Sequence, residues 1–231
     1  MSRQIVLDTE TTGLEPSAGH RIIEIGCVEI VNRRLTQNHW HHYLQPDREI
    51  DQGAFEVHGI SNEFLADKPR FAEVVDSFLE YIRGAELIIH NAPFDVGFLN
   101  HELNLLNDNR PQIADICGVL DTLVLARQKH PGQKNNLDAL CKRYEIDNSA
   151  RTLHGALLDS EILADVYLIM TGGQTALSLD SEEGVELEDG PLDRAVIVAD
   201  NLPTWAVADG ARARHEAYLE MLQAKAGKCA W

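Results

Sequence analysis

Four carboxylates and one histidine stand where a folded chain has little reason to put them. Asp8 and Glu10 lie two residues apart at the end of the apolar run Ile5-Val6-Leu7, and in a strand residues i and i+2 leave the same face. The two acids therefore crowd one spot, and a divalent cation with oxygen ligands is the usual partner for such a pair. Thr11, Thr12 and Gly13 follow, adding hydroxyls and a permissive turn suited to close approach of a phosphate or backbone. Asp95 has Phe98 and Leu99 at i+3 and i+4, which sets it at a core-facing position in the first turn of a helix. Asp159 repeats the pattern with Ile162, Leu163 and Val166. A buried lone carboxylate is costly unless it is paired or ligating. His154 stands five residues ahead of Asp159, on the preceding loop.

Acids from three separate segments, converging without positive side chains, imply bound metal, and oxygen-only ligation suggests Mg²⁺ or Mn²⁺. Two such ions ~4 Å apart are a standard device for in-line phosphoryl transfer to water, one acting on the attacking water and the other on the leaving 3′-oxygen. Imidazole titrates near neutrality, so His154 is the expected general base.

These residues need a scaffold. A strand entering Asp8, a second over residues 21–31 and a third from Leu35 to Leu44 follow one another, with Asn32-Arg33-Arg34 as a hairpin connection. His39, His41 and His42 lie on the third strand; with no cysteine or nearby carboxylate to complete a metal site, they are read as surface residues. Phe71, Val74, Val75, Phe78, Leu79 and Ile82 recur at helical spacing, which predicts an amphipathic helix over 70–83 closed by Gly84. Glu86 to His90 is a short buried strand leading at once to Pro93 in a first helical turn, and the crossover helix before it makes it parallel to a neighbour. Cys117 to Gln128 gives one more strand and helix, with Asp121 and Asn136 as structural caps. A long helix then runs to Met170. The expected fold is α/β: a mixed five-stranded sheet, three antiparallel strands and then two parallel to the first, flanked by helices.

At 231 residues the chain can bury a full core, as one domain plus an appendage. No apolar stretch approaches the ~20 residues that cross a bilayer, and no charged-then-apolar leader is read at the N-terminus. Four scattered cysteines without a Cys-x-x-Cys pair fit a reduced, cytoplasmic setting. The net charge is −17, of which residues 172–231 carry −6 and residues 1–171 the remaining −11. Neither part is basic overall, so a basic nucleic-acid-binding surface is not expected. For a polynucleotide substrate, metal must neutralise phosphate locally or a partner must deliver the strand.

Three motifs, in order, resemble those of the DEDDh family of 3′–5′ exonucleases, of RNase H-like fold: Asp8-Thr9-Glu10-Thr11-Thr12-Gly13-Leu14, His90-Asn91-Ala92-Pro93-Phe94-Asp95, and His154-Gly155-Ala156-Leu157-Leu158-Asp159. The resemblance covers the chain to about residue 171. It implies two divalent ions, Mg²⁺ or Mn²⁺, held by Asp8, Glu10, Asp95 and Asp159, with His154 as general base. Within the family the chain is similar to the group of epsilon, or proofreading, subunits of bacterial DNA polymerase III, through Val57-His58-Gly59-Ile60 and the two-part layout. That likeness implies a terminal-nucleotide site made by Asp8, Glu10, Thr11, Leu14, Val57, His58, His90, Phe94 and Asp159, and a substrate that is the single-stranded 3′ end of a DNA primer.

The rest of the chain fits the same resemblance. Residues 172–193 hold paired glycines and an acidic run without a basic residue, which reads as a flexible linker. Within it, residues 174–179 resemble a sliding-clamp-binding motif through Gln174, Leu177 and Leu179, with leucine at the last position where an aromatic is common. Residues 194–231, with a helix expected from Ala208 to Ala224, are too few to hold a core alone and should fold on a partner; the resemblance makes that partner the polymerase alpha subunit. A small theta-like accessory subunit is a further partner in that group. The competing readings are an RNA-trimming member of the same family and a scaffold bridging clamp and polymerase with a silent active site.

Overall fold

A computed structural model of the chain describes residues 3–149, 151, 153–172 and 209–226. The chain divides into two units, Met1–Leu177 and Ser178–Trp231. In the first, β1 (Arg3–Thr11), β2 (Ile22–Val31) and β3 (Arg34–Tyr43) form an antiparallel meander. β4 (Glu86–Ile89) and β5 (Gly118–Asp121) then add parallel to β1, giving the order β3-β2-β1-β4-β5. The five-stranded mixed sheet is as the sequence predicts, and β1, which carries Asp8 and Glu10, lies at its centre. Asn32 and Arg33 both take positive φ, 51° and 63°. That two-residue geometry matches the twist of the β2–β3 hairpin.

Helices cover both faces. α3 (Phe71–Ile82) buries all six of its periodic apolar residues, and with α4 (Ala92–Leu105) it packs on Ile5, Leu7 and Leu87. On the opposite face α8 (Ala156–Thr171) packs through Leu163, Ala164 and Tyr167 on Val6, Val28 and Ile88. β1 thus sends Ile5 and Leu7 to one helical layer and Val6 to the other, so the period of two is used on both sides. α6 (Thr122–Lys129) and α7 (Leu137–Tyr144) close a third apolar cluster against α8. Asp121 caps α6 by accepting from the amides of Leu123 and Val124, and Asn136 caps α7 by accepting from Ala139. Both acts are structural, as expected.

Two short helices, α2 (Asn62–Leu65) and α5 (Ile113–Ile116), complete the turns. A helix the sequence pattern does not announce is α1 (Gln52–His58), whose residues are mostly exposed and lack an apolar period. The β3 histidines need a correction. His41 Nε2 sits 2.7 Å from Oε1 of Glu24, a buried carboxylate on β2, so a carboxylate does stand beside this group.

In the second unit the described residues form α9 (Asp209–Ala226), in accord with the helix expected there. The acidic linker beyond Gly172 and the motif at 174–179 lie outside the described residues.

Candidate active site

The site forms where the C-terminal end of β1 meets the starts of α4 and α8. Asp8 pairs across the ladder with Gly26 of β2, and this glycine has a specific job. A Cβ at Gly26 would lie 2.3 Å from the main chain of Ala156 and Leu157. Only a glycine lets the first turn of α8 rest directly on β2. Ser160 then donates its hydroxyl to the Gly26 carbonyl at 2.9 Å. Asp159, one residue earlier, is buried beside the β1 acids.

α4 is aimed by different means. Asn91 takes a left-handed conformation, φ 68° and ψ 50°, at the N-cap, and its amide donates to Asp121 at 3.1 Å. Pro93 occupies the first turn, as its missing N–H allows. Asp95 is thereby brought over β1, where Thr9 donates to its Oδ1 at 2.7 Å. His154 is held by its own main chain, its amide donating to the Val57 carbonyl of α1 at 3.1 Å.

Asp8, Glu10, Asp95, His154 and Asp159 all line one cavity of about 340 Å³, together with His90, Asn91 and Phe94. Ligand-type atoms of Glu10, His154 and Asp159 lie within 4.8 Å of one another. Burial is the main force raising Asp8, Glu10 and Asp95 above the usual carboxylate range, with repulsion from neighbouring acids added. Asp8 is raised well above it by burial, then by Asp95, Glu10 and Asp159. Glu10 is pushed up to about 8 by burial, then by Glu24, Asp159 and Asp95. Burial pushes Asp95 up to about 7 against the hydrogen bond from Thr9. Such acids favour protons or cations over bare charge. A hard divalent ion with oxygen ligands fits this donor set.

A second cavity, of about 500 Å³, adjoins the first through Thr9, Glu10 and Phe94 and is lined by Thr11, Leu14, Val57 and His58. It is mainly apolar and large enough for a small organic ligand. Buried His58 accepts from the Ile60 amide on Nδ1 at 3.0 Å, and its Nε2 has no hydrogen-bond partner among the described residues. Burial holds the His58 pKa down, so the ring is neutral with its proton on Nε2. Thr12 turns elsewhere, its hydroxyl lying 3.1 Å from His20 Nδ1. Gly13 makes room for that ring, since a Cβ there would lie 2.3 Å from it.

Sequence reasoning missed Arg151. The expectation of acids without positive side chains is corrected by this guanidinium, which grips both oxygens of Asp159, at 2.7 Å for Nη2 to Oδ2. It also donates to Asp138 of α7 at 2.7 Å and lies 3.1 Å from His154 Nδ1. A guanidinium offers donors only, so Nδ1 accepts, and the neutral imidazole carries its proton on Nε2. The only sequence signal is position, three residues before His154 and eight before Asp159.

The arrangement has relatives. A family model described as Exonuclease matches residues 5–167. The chain belongs to the exonuclease family. It is 55% identical, over its whole length and 98% of the relative, to the DNA polymerase III subunit epsilon of Escherichia coli (strain K12). It is 54% identical to the subunit of the same name from Haemophilus influenzae, over its whole length and 94% of that chain. Among solved exonucleases, Exonuclease X in complex with 5′ overhanging duplex DNA aligns with a TM-score of 0.58 at 28% identity, covering 73% of this chain and 91% of that one. The nuclease domain of 3′hExo, a DEDDh family member bound to rAMP, aligns at 0.63 over 73% of this chain and 91% of its own. At 19% identity it speaks for the fold alone. The exonuclease match spans β1 through most of α8, the same elements that bring the acids together.

Proposed function

We propose that this chain is the proofreading 3′–5′ exonuclease of a bacterial replicative DNA polymerase III, removing mispaired 3′-terminal nucleotides by hydrolysis. The observation that carries the reading is the meeting of four carboxylates from β1, α4 and α8 with His154 in one cavity, beside a second, apolar cavity. Asp8, Glu10, Asp95 and Asp159 would hold two divalent ions, Mg²⁺ or Mn²⁺. When bound, these supply charge to offset the phosphate and lower the pKa of water. His154 is the general base, taking the proton at Nδ1, the ring nitrogen turned toward Arg151 and Asp159. Thr11, Leu14, Val57, His58, His90 and Phe94 seat the terminal nucleotide, its base in the apolar cavity and its phosphate over the acids.

The working division is residues 1–171 for hydrolysis, 172–193 as linker with the clamp-binding stretch 174–179, and 194–231 for docking on the polymerase alpha subunit. A theta-like subunit is a further partner, and the setting is the cytoplasm. No described helix is long and apolar enough to cross a membrane.

The test is digestion of a 5′-labelled primer–template, matched or mismatched at its 3′ end, with Mg²⁺ or EDTA. Metal-dependent stepwise shortening that is faster on the mismatch and absent in Asp8→Ala is the expected result. Trimming of RNA but not DNA would replace it with an RNA-processing role, and silence on both would leave a scaffold.

A further inference from the structure

The acidity of the chain conceals one stretch of opposite sign. Residues 122–144 contain five basic side chains, Arg127, Lys129, Lys134, Lys142 and Arg143, against a single acid, Asp138. They build α6, the loop after it and α7, and this segment borders the site, because Asn136, Leu137 and Asp138 line the carboxylate cavity. A third cavity of about 490 Å³ opens on the same side, walled by Arg127, Gln133, Asn135 and Asn136 and joined to the carboxylate cavity through His90 and Asn91. The three cavities thus follow one another: apolar, then acidic, then polar and cationic.

The cations of this segment are not equivalent. Asp138 is engaged by Arg151. Arg143 donates to Asn135 Oδ1 at 3.1 Å and to the Lys134 carbonyl at 2.8 Å. Asn135 is buried and donates to the carbonyls of His130 and Gln133. These bonds preset the loop. Arg127, Lys129, Lys134 and Lys142 are exposed, and none forms an ion pair among the described residues. They make a local positive potential beside an acidic floor that by itself would repel a polyanion.

We infer that this third cavity is a track for the phosphate backbone of a single-stranded polynucleotide, immediately 5′ of the nucleotide being removed, with Arg127 as its principal cation. The inference rests on the exonuclease reading, which places the 3′ end over the acids. From there the strand can continue through the opening shared by His90 and Asn91. Phosphate contacts of this kind add affinity without sequence preference and weaken with salt.

The test uses the full chain with Arg127→Glu and Arg127→Lys. Binding of a 5′-fluorescent oligothymidylate of about eight nucleotides, a usual single-strand site size, is followed by anisotropy across a salt series. Hydrolysis of the same oligomer is compared with that of the p-nitrophenyl ester of thymidine 5′-monophosphate, which has no upstream phosphates. Arg127→Glu should weaken oligomer binding, raise its KM and flatten the log–log salt slope by about 0.7, the value for one phosphate deprived of its cation. It should leave ester hydrolysis at the wild-type rate, and Arg127→Lys should keep the slope. Unchanged oligomer binding and slope in Arg127→Glu, or an equal loss on the ester, would overturn the track. A wild type that binds with the Arg127-dependent slope but cleaves neither substrate would uphold the track and refute the nuclease reading.

Discussion

Arg151 holds Asp159 by both carboxylate oxygens while lying 3.1 Å from Nδ1 of His154, so one guanidinium ties the proposed general base to a carboxylate of the site. Asp138 of α7 fixes its far side. The charge of Arg151 also works against protonation of Asp8 and Glu10. Its removal therefore has two opposed local effects, releasing the Nδ1 lone pair while unpinning Asp159 and the loop. Positioning outweighs the release, because a displacement of about 1 Å can cost roughly 100-fold in rate. Arg151→Met should lose about 10- to 100-fold in kcat. It should also move the acidic limb of the kcat/KM profile to higher pH, since the remaining acids lose a neighbouring positive charge. Asp138→Asn, which removes the anion opposite Arg151, should move the limb the other way, to lower pH, by less. A pH–rate series at fixed Mg²⁺ checks both.

The buried acids make stability depend on pH and metal. Glu10 is pushed up to about 8 and Asp95 up to about 7, so the folded state binds protons that the unfolded chain, titrating near 4.5 and 3.8, has released. Between those values the metal-free protein loses stability as pH rises. Melting in EDTA should show a midpoint falling from pH 5 to pH 8. Mg²⁺ should raise that midpoint most at the alkaline end. Glu10→Gln should raise it at pH 8 without metal, by about 2–4 °C for each kcal/mol relieved in a domain of this size. A midpoint flat from pH 5 to pH 8 would contradict the burial of these acids.

His154 lies close enough to Glu10 and Asp159 to share a cation with them, yet it is half exposed and the role proposed for it is proton transfer. His154→Ala should slow hydrolysis by roughly 100- to 10,000-fold while largely sparing Mn²⁺ binding by calorimetry. Asp8→Ala should lose both. Equal loss of metal in the two variants would make His154 a ligand.

Gly26 offers a purely steric test. An added Cβ would meet the main chain of Ala156 and Leu157, not the end of a flexible side chain, so neither partner can step aside cheaply. Gly26→Ala should cost about 1–3 kcal/mol and depress kcat by shifting Asp159. Chemical denaturation beside single-turnover hydrolysis separates the two effects.

Much of this was legible in the sequence because misplacement is itself a signal. Asp95 and Asp159 announce themselves by occupying apolar stripes, and α3 by an uninterrupted helical period. What the sequence hid depends on distance. Arg151 reaches Asp159 only through the fold of its loop, and the proximity of His41 to Glu24 requires the β2–β3 register. α1 has no apolar face to read. The cationic segment at 122–144 vanishes into a net charge of −17 when acids are summed along the whole chain. The reading of residues 174–179 as a clamp-binding motif stands on resemblance alone.

The contact at Gly26 has a consequence for how this protein can change. At the start of α8 the offset from β2 is set by main chain against main chain, so at that one point, next to Asp159, it does not depend on side-chain size. Side chains farther along α8 can vary in size around that contact, and the first turn of the helix keeps its seat on β2. Tolerance in the core and rigidity at the site then coexist, and one missing side chain separates them.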